Sequence, residues 1–398
     1  MGKFDRFFDD SDRQGAVPAK GEPPAVRGLP EGAWVDDGVY RVQSFHRLGA
    51  PHGQKVLSRP EEMGAMEAFG ARGSVVFLDT ETTGLSGGTG TYAFLCGIGF
   101  SSGDDFTVVQ FFLEGPSKES RWLRAVDSAI PRDACLVTYN GASFDLPLLR
   151  TRHVLSRSTP AWDGAPHIDL LRHARKFYRG RLPSCSLGSM ERNVLGVRRS
   201  GEDIPGSLIP GMYARYLHTR DASHLSGVFY HNEIDIVSLA ALYCHVAHLM
   251  EGASSDGADL IRAGDLWAAS GNPGRAEALW DRACEARQGR VEALLRKGFA
   301  AKRAQDRASA RDAFQRALGA LRDEPRRGAD PTAYVLLEEL AKLEEHAFKS
   351  REAAMRYTDM ALEWLKRNRY ILGASFTRMH QSMSRRAARL RRRFPDEG

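Results

Sequence analysis

The stretch Val75-Val76-Phe77-Leu78-Asp79-Thr80-Glu81-Thr82-Thr83-Gly84 decides how the rest of the chain is read. A continuous apolar run is what a strand covered on both faces requires. Here the run ends on an acid. Side chains at i and i+2 of a strand share a face, so Asp79 and Glu81 project together from the strand's carboxyl end. Two carboxylates this close repel, and each raises the other's pKa unless a cation lies between them. Mg2+ or Mn2+, hard ions that prefer oxygen ligands, answer that need.

With this run as its first strand, the chain reads on as βββ-α-β. Tyr92 to Phe100 and Phe106 to Leu113 read as strands joined by the turn Ser101-Ser102-Gly103-Asp104-Asp105. Trp122, Leu123, Val126 and Ile130 have helical spacing. Cys135 to Tyr139 reads as another buried strand, closed by the turn pair Asn140-Gly141. Asp145 then stands at a predicted helix start. In a βαβ arrangement two parallel neighbours end at one sheet edge, so Asp145 can face the first acid pair. From there the chain reads as mainly helical to about residue 250. Within it, Tyr230-His231-Asn232-Glu233-Ile234-Asp235-Ile236-Val237-Ser238-Leu239 carries the apolar stripe Ile234, Val237 and Ala241. His231 and Asp235 fall one turn apart on one helix face.

Four acids and an imidazole suit a phosphodiesterase site built on two cations about 4 Å apart. In this reading Asp79 bridges both ions. Glu81 and Asp235 hold the ion bearing the attacking water, and Asp145 serves the second ion. His231 orients or deprotonates the water.

Toward the N-terminus, residues 1–35 are rich in Pro, Gly and charge and are predicted to lack fixed structure. Gly38-Val39-Tyr40-Arg41-Val42 alternates like a strand. A chain of 398 residues exceeds what one core usually serves. The first domain is therefore set at 36–250, with Glu251-Gly252-Ala253-Ser254-Ser255-Asp256-Gly257 as a linker. Beyond it Ala276, Trp280 and Ala283 recur 34 residues later as Ala310, Phe314 and Ala317. That is the period of tetratricopeptide repeats, with small and aromatic residues where paired helices touch. A looser third unit is expected at Ala353, Tyr357 and Met360. The all-α repeat region is set at 258–366 and a basic C-terminal helix or tail at 367–398. An ordinary helical bundle is the competing reading of this half.

Net charge is +6, with 42% apolar and 27% charged residues, ordinary values for a soluble protein. Basic residues cluster from Arg172 to Arg199 and from Arg378 to Arg393, which suits a polyanionic partner. The five cysteines form no C-x-x-C pair and read as reduced thiols of a cytoplasmic protein. No run of about 18 apolar residues stands out, so no membrane span is expected. The start of the chain lacks the layout of a secretory signal. No P-loop pattern occurs, and Ser86-Gly87-Gly88-Thr89-Gly90 leads into a strand, which excludes a dinucleotide fingerprint.

The segments FLDTETTGLSGGTGTYAF, LVTYNGASFDLPLLRTR, HIDLLRHARKFYR, SCSLGSMERNVLGVRR and HNEIDIVSLAAL resemble the DEDD family of 3′-5′ exonucleases. More narrowly, they resemble the YprB-like ribonuclease H-like domain, and they span roughly Val75 to Val246. The resemblance implies an α/β fold, a ribonuclease H-like mixed sheet flanked by helices, ahead of the all-α tetratricopeptide-like region. It places Asp79 and Glu81 in the first family motif, Asp145 in the second and Asp235 in the third, as ligands of two Mg2+ or Mn2+ ions. Asp169 matches a recurrent acidic position and is read as supporting the site. Substrate contacts are expected at Thr80, Gly84, Leu85, Gly88, Asn140, Phe144, Arg175 and Arg181. The third motif departs from both common forms: His231 stands where one subgroup has Tyr, and Tyr230 where the other has His. Either side chain can serve as the base; His231 is preferred because its unperturbed pKa lies near neutrality.

The function so implied is hydrolysis of RNA or single-stranded DNA from a 3′ end, the repeats binding a protein or nucleic-acid partner. Its rival is a nucleic-acid-binding scaffold whose nuclease fold no longer turns over.

Overall fold

The computed structural model describes residues 26–69, 72–84, 90–201, 203–286, 288–323 and 330–392. The chain divides into two compact units, Met1–Glu251 and Gly252–Gly398.

Among the described residues the first unit has nine strands: β1 (Ala33–Asp36), β2 (Val39–Arg47), β3 (Pro51–His52), β4 (Lys55–Val56), β5 (Ser74–Thr82), β6 (Ala93–Ser102), β7 (Asp105–Leu113), β8 (Ala134–Thr138) and β9 (His167–Asp169). Its helices are α1 (Glu119–Ser128), α2 (Asp145–Leu155), α3 (Leu170–Tyr178), α4 (Leu187–Met190), α5 (Ile209–Thr219) and α6 (Ser226–Met250). β3 and β4 form a separate hairpin, and the other strands make one mixed sheet in the order β1-β2-β7-β6-β5-β8-β9. Pairing is antiparallel from β1 to β5 and parallel from β5 through β8 to β9. This mixed sheet with flanking helices is a ribonuclease H-like fold.

The apolar run of β5 is fully buried because it has neighbours on both edges and helices over both faces. Successive side chains alternate faces. Val76 and Leu78 enter the cluster that holds Trp122, Leu123 and Val126 of α1 and Leu146 and Leu149 of α2. Phe77 meets Tyr243 of α6 on the other face, ring centroids 5.7 Å apart. α6 lies across β5, β6 and β7. It comes that close because β6 offers glycines there: a Cβ on Gly97 would stand 2.3 Å from Asn232 Oδ1, and one on Gly99 2.4 Å from Ile236 Cγ2. The stretch Ser223–Met250 is, by length and composition, apolar enough to cross a membrane, against the expectation that no such run exists; most of it is buried as a core helix of this unit.

Other departures are local. The sheet begins at Ala33, inside the stretch expected to lack fixed structure, and residues 1–25 lie outside the described residues. β9 was not anticipated, because three residues are too few to display a period.

Among the described residues the regular elements of the second unit are all helices: α7 (Gly257–Ala269), α8 (Pro273–Glu285), α9 (Arg290–Arg303), α10 (Arg307–Asp323), α11 (Pro331–His346), α12 (Arg351–Arg367), α13 (Arg369–Leu372) and α14 (Ala374–Arg392). Asp256, Asn272, Asp330 and Ser350 cap α7, α8, α11 and α12 with their side chains. The 34-residue recurrence is visible in packing. Ala276, Trp280, Ala283, Ala310, Phe314 and Ala317 are all buried. Gly264 and Gly298, also 34 apart, leave room for the two rings: a Cβ would meet Trp280 Nε1 at 2.4 Å and Phe314 Cε1 at 2.3 Å. The expected third unit is out of register. Ala354, Tyr357 and Ala361 are buried, whereas Ala353 and Met360 are only partly covered. In the basic C-terminal helix α14, Arg386 and Arg389 both pair with the buried Glu345, so these charges are spent inside the unit.

Candidate metal centre at the sheet edge

Pairing between β5 and β8 stops at Phe77↔Val137, while β5 runs on to Thr82 beside β6. Asp79 and Glu81 therefore stand past the end of β8. The space beyond β8 is filled by the turn that delivers Asp145. Asn140 adopts a left-handed φ of 67°, and Gly141 packs where a Cβ would sit 2.4 Å from Thr138 Oγ1. Asp169 braces the turn: its carboxylate accepts from Asn140 N at 2.8 Å and Ala142 N at 3.3 Å while capping α3 through Leu171 N at 3.1 Å. Asp169 is buried and braces the loop that carries Asp145. Asp145 opens α2, and Thr80 Oγ1 donates to Asp145 Oδ1 at 2.5 Å.

α6 brings the remaining groups. One ligand atom each from Glu81, His231 and Asp235 lies within 4.8 Å of the others. His231 Nε2 is 3.6 Å from Asp235 Oδ2, and its Nδ1 is 2.8 Å from Asp203 Oδ1. Asp79 is tied to the same helix by Asn232, whose Nδ2 donates to Asp79 Oδ2 at 3.0 Å. Asn232 is itself held by Gln110 of β7, whose Nε2 donates to Asn232 Oδ1 at 2.9 Å. The sequence reading passed over Asn232, although it lies three residues before Asp235 and hence on the same helix face. Gln110 left no such signal, being one polar residue in an apolar strand.

Electrostatics make the cluster hungry for cations. Burial, and then repulsion from Asp235, Asp145 and Glu81, pushes Asp79 well above the ordinary carboxylate range. Burial, then Asp235 and Asp145, raises Glu81 to about 8. Burial raises Asp145 to about 6 against the pull of the Thr80 hydroxyl. Burial raises Asp235 as well, opposed by Arg199 and His231. Carboxylate oxygens with one imidazole and surplus negative charge fit a hard divalent ion.

The sign of the pH effect follows. An acid whose folded pKa is raised keeps its proton in the fold after the unfolded chain has lost it. It therefore lowers stability as pH climbs from its ordinary value to its folded value. For Glu81 the window runs from 4.5 to about 8. In EDTA, Glu81→Gln is expected to melt increasingly above the wild type between pH 5 and pH 8, and saturating Mn2+ should restore the wild type but not the variant. Thermal melts across that range check this; a constant gap would contradict it.

The remaining expected residues scatter. Phe144 is 54% exposed beside Asp145. Gly84 closes a turn, its carbonyl accepting from Thr82 Oγ1 at 2.8 Å. Leu85 and Gly88 lie outside the described residues. Arg175 and Asn140 line a cavity of about 600 Å3 together with Tyr139 and Arg179. Arg181 does not line it; its Nη1 donates back to Phe177 O at 3.3 Å. Tyr230, the alternative base, has its hydroxyl engaged as acceptor for Ser200 N at 3.0 Å, whereas His231 faces the acids.

Residues 76–247, which include every acid of the cluster, match the RNase_H_2 family model, described as RNase_H superfamily. The chain is also similar to Uncharacterized protein YprB of Bacillus subtilis (strain 168), 34% identical over 258 residues. The aligned part takes in 62% of this chain and 60% of that relative.

Proposed function

We propose that this chain is a divalent-metal-dependent nuclease that hydrolyses phosphodiester bonds of RNA or single-stranded DNA from the 3′ end. The observation that carries the reading is the convergence of Glu81, His231 and Asp235 from a strand and a distant helix to within 4.8 Å of one another. Asp235 and Asp145 both lie close enough to raise Asp79 and Glu81 electrostatically. The 3′ polarity comes from the likeness of the motifs to DEDD exonucleases.

Glu81 and Asp235 would hold one ion, Asp145 the other, and Asp79 both. Bound there, the ions would polarise the scissile phosphate and acidify the attacking water. Asp203 on Nδ1 steadies the His231 ring so that Nε2 faces Asp235, and His231 takes the proton from water. Asn232 and Gln110 fix the Asp79 carboxylate through the chain of amide contacts. The cavity with Arg175 and Arg179 begins at Asn140, on the turn leading to Asp145, and offers the path for the strand. No acidic side chain among the described residues lines it. The helical unit, tetratricopeptide-like by its 34-residue period, is assigned to a protein or nucleic-acid partner.

The test uses single strands labelled at either end, with Mn2+. Stepwise shortening from a free 3′ end, stopped by a 3′ block, is expected. Cleavage of end-blocked strands would move the assignment to an endonuclease, and binding without cleavage to the scaffold reading. For the strand path, the Arg175→Ala/Arg179→Ala double variant should bind more weakly in EDTA. It should also lower the salt slope of log K by about 1.4, since each lost phosphate contact on a single strand removes about 0.7. An unchanged slope in an anisotropy titration would remove these arginines from the path.

A further inference from the structure

Arg199 was counted in the basic stretch that suits a polyanionic partner, yet its guanidinium points into the acid cluster. Glu191 grips it at two points, Nε to Oε2 at 2.8 Å and Nη2 to Oε1 at 2.6 Å. The two side chains are 14% and 3% exposed. Glu191 is anchored in turn by Ser238 of α6, whose Oγ donates to Oε1 at 2.6 Å, and His52 lies 2.9 Å from that hydroxyl. The backbone just after Arg199 is pinned by Tyr230 through Ser200 N. On its free side the guanidinium donates from Nη2 to Asp235 Oδ1, and Nη1 lies 3.2 Å from Asp203 Oδ1 and 3.1 Å from His231 Nδ1.

Only one oxygen of Asp235 is used this way. Asp235 Oδ2 faces His231 Nε2 at 3.6 Å, and one oxygen of Asp235 lies within 4.8 Å of an oxygen of Glu81. We infer that Arg199 is a positioning residue for the metal site: by holding Oδ1 it makes Asp235 a one-oxygen ligand with Oδ2 aimed between Glu81 and His231, a role that rests on the metal-site reading above. The arrangement costs the site little charge. Arg199 and Glu191 form a neutral pair, so Asp79, Glu81, Asp145 and Asp235 still present the negative charge that two divalent ions balance. A guanidinium placed instead as a stand-in for the ion would compete with it. The two roles predict opposite signs: losing a positioning group weakens metal binding, and losing a competitor tightens it.

The charge-balanced double variant Glu191→Gln/Arg199→Gln separates position from charge, because it removes one cation and one anion together. Mn2+ binding to the full chain is measured by isothermal titration calorimetry, with circular dichroism to verify the fold and Asp235→Asn as the reference for loss of this ion. The expected result is a Mn2+ affinity about 10–100-fold lower, the usual consequence of removing a group that orients a metal ligand. Arg199→Lys, which keeps the charge but cannot span Glu191 and Asp235 together, should also bind more weakly, and it decides the matter if the double variant does not fold. Unchanged or tighter Mn2+ binding in the folded variant overturns the positioning role. The nuclease reading then still stands, provided the wild type binds Mn2+ and Asp235→Asn does not. A wild type that takes up no Mn2+ overturns both.

Discussion

Replacing Asp79 with Asn should lower Mn2+-dependent strand cleavage about a thousandfold. A metal contributes several kcal/mol of transition-state charge stabilisation, and each 1.36 kcal/mol is a tenfold change in rate. Asp79 is the acid whose loss should remove most of that, since Asp235, Asp145 and Glu81 all act on it electrostatically and Asn232 locks its orientation. The substitution keeps the volume and removes the charge. Folding should survive, because the carboxylate being deleted sits among like charges that raise its pKa. Cleavage rates at saturating Mn2+, with the melting temperature as a fold check, measure the effect. A variant that cuts as fast as the wild type would exclude Asp79 from the chemistry.

The second large effect concerns stability. Arg152 of α2 grips Glu119 at the start of α1, Nε to Oε1 at 2.5 Å and Nη2 to Oε2 at 2.6 Å, with the side chains 5% and 9% exposed. Breaking a buried pair by removing one partner strands the other charge and typically costs about 3–5 kcal/mol. Glu119→Ala should therefore destabilise the first unit by about that amount. The damage should reach the site as well. Arg152 also lies over the Tyr92 ring, 4.1 Å from its centroid, and Tyr92 exchanges hydrogen bonds with Thr83 just after the acid pair. Native-state hydrogen exchange of β6 and β7 amides reads this unit apart from the helical one. A loss under 1 kcal/mol would mean that water reaches the pair and screens it.

What the sequence disclosed follows from where physics leaves a periodic or chemical mark. The run Val75–Leu78 was legible because β5 is covered on every side, and every position shows it. Asp79 and Glu81 were legible because a strand alternates and β5 continues past β8. The 34-residue recurrence was legible because rings and small residues alternate where helices touch, and Gly264 and Gly298 extend it. The third unit was misread because its buried alanines shift by one position while Tyr357 does not.

Other features left no mark of that kind. Arg199 was read with the basic stretch that suits a polyanionic partner because a basic cluster in sequence does not say which way each side chain turns. Asn232 escaped because an amide is a poor metal ligand, and its value lies in holding Asp79. β1 was hidden in a Pro- and Gly-rich stretch whose composition imitates an unstructured segment.

The central claim is that the acids of β5, α2 and α6 bind divalent ions together. Anomalous scattering from Mn2+ in crystals of the full chain tests it most directly. The account predicts one ion within about 2.0–2.2 Å of a Glu81 oxygen, of Asp235 Oδ2 and of an Asp79 oxygen, and a second on Asp79 and Asp145. Saturating Mn2+ that binds elsewhere and leaves these carboxylates without metal would contradict it.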